Sequence, residues 1–223
     1  MSSTQQTHPE VRVVRNLLKM MKTRGYTILF RGNEKARFEE ALKENGACDT
    51  DIVLSVLHFA QQDHNGLLWT ATSPRQDECD GEKKVGVFVM ASTKKMGVGI
   101  VRGLDNGDFV RTIVVTDKAA TIHAFKATLS MTTHVEFFTY DELKIDPTHH
   151  VYHRPYTYME PPEVKAYLEK YTFKLENLQQ LNHLDIMARW YGLKEGDCVG
   201  VPQHFPGVEA HTIVRRVVYG QKK

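Results

Sequence analysis

Cysteine is scarce in this 223-residue chain: Cys48, Cys79 and Cys198 are odd in number and far apart. That excludes a disulfide framework and fits a reducing compartment, the cytosol or the nucleus. Long apolar runs are missing too. The longest, residues 52–60, is broken by Ser55 and His58 and falls short of the roughly 20 residues a spanning helix needs. Residues 1–9 are polar without an apolar segment, so a secretory signal is not expected. Net charge is small: 29 basic and 27 acidic side chains leave +2, which excludes a histone-like binder of polyanions. Nucleotide loops are absent as well. Gly97-x-Gly99 lacks the third glycine and the strand–turn–helix setting of a dinucleotide fingerprint, and there is no Walker sequence. No Gly-x-Ser-x-Gly elbow marks a serine nucleophile, and no cysteine has an obvious histidine partner.

What is present suits a globular protein of one or two domains, since 41% hydrophobic and 25% charged residues can build a core of useful size. Residues 11–24 predict an amphipathic helix with Val14, Leu17, Leu18 and Met21 on one face and Gly25 as its stop. Arg12, Arg15, Lys19 and Lys22 line an adjoining face. With Arg24 and Arg31 they make six bases and no acid between residues 11 and 33, a local basic surface. Residues 26–30 read as a short strand, 34–45 as a helix, and 51–59 as a strand buried on both faces. Further strands are expected at 67–72, 85–91, 112–115 and 135–139, with a helix at 121–131. Gly97, Gly99, Gly103 and Gly107 weigh against a helix between them. Around Pro147 the prolines multiply, and Pro161-Pro162 opens a helix to about Tyr171. The expected division is an α/β domain at 1–147 and a compact α+β domain at 148–223.

Within the second part, Asp185-Ile-Met-Ala-Arg-Trp-Tyr-Gly192 packs several signals together. Asp185 can cap a first turn, and Arg189 follows at the favourable acid-before-base spacing. Leu184, Met187, Ala188 and Tyr191 fall on one expected buried stripe, Gly192 suits a left-handed cap, and Gly196 turns the chain into the strand beginning at Cys198. Strands then run to 211–219.

The same order, Asp-x-x-Ala-Arg-aromatic-aromatic-Gly before a basic residue, x-Gly and a valine-bearing strand, resembles the C-terminal domain of the fifth-largest subunit shared by eukaryotic nuclear RNA polymerases. The archaeal polymerases have a counterpart of this domain that lacks the one before it. Arg24-Gly25-Tyr26, Asp51 opening an apolar strand, Gly86-Val-Phe-Val89, Lys95-Met-Gly-Val98 and Ile113-Val-Val115 extend the likeness through the N-terminal part. The resemblance implies a restriction-endonuclease-like jaw domain followed by a small assembly domain. It further implies a non-catalytic role: docking on the largest subunit, with the jaw beside downstream duplex DNA. Neighbouring small subunits are expected partners, with no membrane, cofactor or metal.

Subunit contacts are expected at Asp185, Arg189, Tyr191, Gly192 and Arg215. DNA contacts are expected at Lys118, Arg12, Arg15 and Lys19, although a solvated face is the plainer reading of the helix stripe. Where the family has a Thr-Pro-Ser-Ala turn facing DNA, this chain reads Thr116-Asp-Lys-Ala-Ala-Thr121. Ile186 stands where a proline usually follows the aspartate. Tyr152-His-Arg-Pro-Tyr156, Gln203-His-Phe-Pro-Gly-Val208 and Val214-Arg215 also depart from the family's loops. These changes suggest a paralogue dedicated to one polymerase class, such as polymerase I, in the nucleus or nucleolus.

Other chemistries stay open. Asp51 with Glu82-Lys83-Lys84 carries the two carboxylates and a lysine of a magnesium-dependent nuclease. A stand-alone nucleic-acid-binding module is a further alternative. His149, His150 and His153 invite zinc, but they lie in a proline-flanked linker without a cysteine pair or a His-Glu-x-x-His helix.

Overall fold

Helix α1, Pro9–Thr23, opens on a proline, whose fixed φ and missing N–H suit a first helical position. Its spacing of valine, leucine and methionine buries far more than one stripe: Val11, Val13, Val14, Leu17, Met20 and Met21 are all in the core. Each such burial contributes roughly 1.5–3 kcal/mol relative to exposure. Only Pro9, Arg12, Lys22 and Thr23 are left fully exposed, with Arg15 and Lys19 half-buried. Gly25, at φ 75°, ends the helix while Tyr26 N–H donates back to the Met21 carbonyl.

A computed structural model describes residues 9–29, 66–74, 84–90, 96–105, 107–128, 130–203 and 211–218. The helix expected at 34–45 and the buried strand at 51–59 lie outside these residues. The chain divides into two compact units, Met1–Ile145 and Asp146–Lys223.

In the first unit β1 (Thr27–Leu29), β2 (Leu67–Thr72), β3 (Lys84–Met90), β4 (Phe109–Thr116) and β5 (His134–Thr139) form one sheet in that order. β1–β2 and β2–β3 pair antiparallel, whereas β3–β4 and β4–β5 pair parallel. Parallel neighbours need crossovers, and two short helices supply them. These are α2 (Val98–Arg102) and α3 (Ile122–Thr128). The glycines therefore did not prevent α2. Gly97 and Gly103 sit at its caps, where glycine costs little, and Val101 packs into the core.

Phe88, Val114 and Phe137, in register across three strands, meet Val101 and Ala124 on one face of this sheet. The opposite face carries Arg111, Glu136 and Phe138 and receives Arg24 from the end of α1. Helix α4 (Tyr140–Leu143) follows β5 with a capping box between Thr139 and Glu142. Asn16 of α1 donates to the Leu143 carbonyl at 2.8 Å, which satisfies a buried amide.

The second unit builds a four-stranded sheet, ordered β6 (Thr157–Met159), β8 (Cys198–Gln203), β9 (His211–Val218), β7 (Gln179–Asn182). Two of these strands precede Asp185, where none was expected; both are short and polar. Helix α5 (Pro161–Tyr171) covers Cys198 and Val214 through Val164. Helix α6 (Ile186–Trp190) covers Val199, Val201 and Val217 through Ala188 on the other side. Trp190 is fully buried in this unit, and Trp69 of β2 is buried in the first.

Candidate assembly face and nucleic-acid interface

Asp185 caps α6, its carboxylate accepting the Met187 N–H at 2.8 Å. At the other end Gly192 takes φ 62°. Its N–H donates to the Arg189 carbonyl, and the Leu193 N–H donates to Ala188, the paired bonds of a Schellman stop. The expected stripe is corrected in part. Leu184 is 61% exposed, because α6 spans only Ile186–Trp190 and Leu184 falls in the turn before it. Ala188 is buried as expected, Met187 and Tyr191 are half-buried, and Trp190, outside the expected stripe, is fully buried.

Around this helix the geometry gathers Tyr191, Tyr156 and Arg215. The two tyrosine rings stack with centroids 5.4 Å apart and planes at 21°. Tyr191 Oη accepts the Tyr156 N–H at 3.3 Å, and Arg215 donates to Tyr156 Oη at 3.4 Å. Burial pushes the Tyr156 phenol up, opposed by the Arg215 guanidinium, while the Asp185 carboxylate adds to the rise. Asp185, Tyr191 and Arg215 thus share one neighbourhood with Tyr156, a residue that sequence reasoning missed. The signal for it was Arg154-Pro155, which fixes an extended approach to β6. Arg189 and Gly192 belong to α6 and its stop.

The basic residues are dispersed differently from the expected stripe. Lys118 is exposed in the turn after β4, with the Thr116 hydroxyl donating to its carbonyl at 2.8 Å. The Tyr140 phenol is pushed up to about 12 by burial, with the carboxylates of Glu10 and Asp117 adding to the effect. Arg12 is exposed on α1. Arg15 and Lys19 are half-buried further along α1.

Arg24 leaves the basic surface altogether. It sits inside, 2.6 Å from Glu136, which also accepts from Arg111; His134 Nε2 lies at 3.8 Å. Burial alone would raise the Glu136 carboxyl, but the two guanidiniums more than offset it and hold it well below the usual carboxylate range. Arg31 lies outside the described residues, as do Asp51 and Glu82 of the nuclease reading. His149 is in a 3-10 turn with Nε2 3.7 Å from Asp146, and burial lowers His153 against the pull of the same carboxylate.

Tyr156, Tyr191 and Arg215 thus form one partly exposed aromatic and cationic cluster on the second unit. The family described as RNA polymerase Rpb5, C-terminal domain, matches residues 145–217. DNA-directed RNA polymerase V subunit 5A of Arabidopsis thaliana is 24% identical over 225 residues, spanning 96% of this chain and 90% of that protein. By these matches the chain is similar to Rpb5-type subunits of DNA-directed RNA polymerase, a non-catalytic class. That similarity stands against the nuclease alternative.

Proposed function

We propose that the second unit docks this subunit onto the largest polymerase subunit through Asp185, Arg189, Tyr191, Gly192 and Arg215, joined by Tyr156. The observation that carries the reading is the stacked Tyr156–Tyr191 pair with Arg215 on its edge. Aromatic and arginine anchors of this kind dominate binding energy at protein interfaces. The first domain, expected at 1–147, serves as a lower-jaw wall, with Lys118 and Arg12 facing downstream duplex DNA and Arg15 and Lys19 contributing less. The exposure of both cations supports that role.

We further propose a nuclear subunit dedicated to one polymerase class, with polymerase I and the nucleolus as first candidates. Support comes from the altered residues around a retained α6, Ile186 and Tyr152-His-Arg-Pro-Tyr156 among them. The Arabidopsis relative itself carries one polymerase class in its name.

Affinity purification of the tagged full chain tests both parts. One largest subunit should dominate the recovered material, and equal recovery of every class sinks the specialisation. Tyr191→Ala with Arg215→Ala should strip the largest subunit from the purified material, each truncation of an interface anchor costing roughly 2 kcal/mol. Undiminished recovery overturns the docking face.

A further inference from the structure

Helices α2 and α3 lie against each other on the same face of the first sheet, anchored by Val101 and Ala124. Their other sides expose large apolar side chains among basic ones. Ile100 is 48% exposed, Ile122 67% and Phe125 47%. Phe125 is held edge-on to Phe137, centroids 5.1 Å apart, so the ring is fixed by a core neighbour while half of it faces water. Ile122 and Phe125 are three residues apart and share one flank of α3.

On the two helices themselves the charge has one sign. Arg102 ends α2, Lys126 and His123 lie on α3, all three are exposed, and neither helix contains an acid. From residue 118 to residue 135 the chain has no acid at all. Nearby carboxylates are engaged or set apart. Asp105 accepts from the Thr132 hydroxyl at 2.8 Å and from the Thr133 N–H. Asp108 and Asp117 sit in the turns at the two ends of β4.

Exposed isoleucine and phenylalanine have nothing to gain from phosphate, which favours a protein occupant over a nucleic acid. The basic rim selects against basic or uncharged partners. We infer that the α2–α3 surface docks an acidic amphipathic helix of a partner protein. That helix would seat apolar anchors at i, i+3 and i+4 on Ile100, Ile122 and Phe125, and turn carboxylates toward Arg102 and Lys126. Neither the docking of the second unit nor the DNA-facing residues involve this surface.

Three fluorescent peptides of about 18 residues test it, identical in a leucine–phenylalanine stripe at helical spacing but with the opposite face all Glu, all Gln or all Lys. Binding to the full chain is read by anisotropy up to about 100 μM. The Glu-faced peptide should bind roughly tenfold tighter than the Gln-faced one, and the Lys-faced peptide weakest. Ile122→Asp, at a side chain outside the core, should abolish this binding with an unchanged circular dichroism spectrum. Lys126→Glu should erase the preference for the Glu face. Equal binding of all three peptides overturns the inference, as does no binding of any, or indifference to Ile122→Asp. A short DNA duplex that loses as much affinity as the peptide in Ile122→Asp would assign the surface to nucleic acid instead, which also overturns it.

Discussion

Glu136 is the residue on which the interior of the first unit most depends. It faces Arg24 and Arg111, both almost wholly withdrawn from water, so removing its charge withdraws a counter-ion that two buried guanidiniums share. Glu136→Gln is expected to cost about 3–5 kcal/mol in urea unfolding at pH 7. The pH dependence follows in sign. The folded carboxyl lies well below its unfolded value of about 4.3, so its contribution is complete above that value and declines as pH falls toward the folded one. The stability gap between the parent and Glu136→Gln should therefore narrow from about pH 5 downward. A gap constant from pH 7 to pH 3 would show that the carboxylate is not what matters. At the surface, Lys118→Glu with Arg12→Glu should weaken duplex retention by the assembled polymerase and flatten its salt dependence, by about one phosphate contact per residue. A duplex challenge across a salt series measures it, and an unchanged slope removes these residues from the DNA path.

Among the elements, α6 is held by its two ends more than by its length. A five-residue helix has little propensity of its own, so the Asp185 cap and the Gly192 stop supply its boundaries. Asp185→Ala should cost ~1 kcal/mol and Gly192→Ala ~1–2 kcal/mol, since alanine resists the left-handed region. Thermal melts of the two variants check both values, and an unshifted Gly192→Ala would show that the turn relaxes. These ends were legible because capping is local chemistry written in single residues. The strand at Leu67–Thr72 and the helix at Pro161–Tyr171 were legible for the same reason, from β-branched and aromatic density in one and the Pro-Pro start in the other. What escaped was set by distance. β7, Gln179–Asn182, has little apolar pattern and exists as the parallel neighbour of β9. α2 forms because a crossover between parallel strands must be covered. Arg24 reads as one more surface base until Glu136, far along the chain, draws it inside. Tyr156 likewise acquires its place only when α6 brings Tyr191 beside it.

At the scale of the whole molecule, each unit closes its own core: one on the β3–β4–β5 face with Phe88, Val114 and Phe137, the other around Val199, Val201 and Val217. The chain contains two tryptophans, and the fold assigns one to each unit, Trp69 on β2 and Trp190 on α6, both buried. Intrinsic fluorescence therefore carries two built-in reporters. Emission at short wavelength is expected from the native protein, shifting to the red as either indole meets water. Trp69→Phe leaves a signal that reads the second unit alone, and Trp190→Phe leaves one that reads the first. A polymerase partner closing over Tyr191 could then be followed optically, without labels, by an indole placed one residue away.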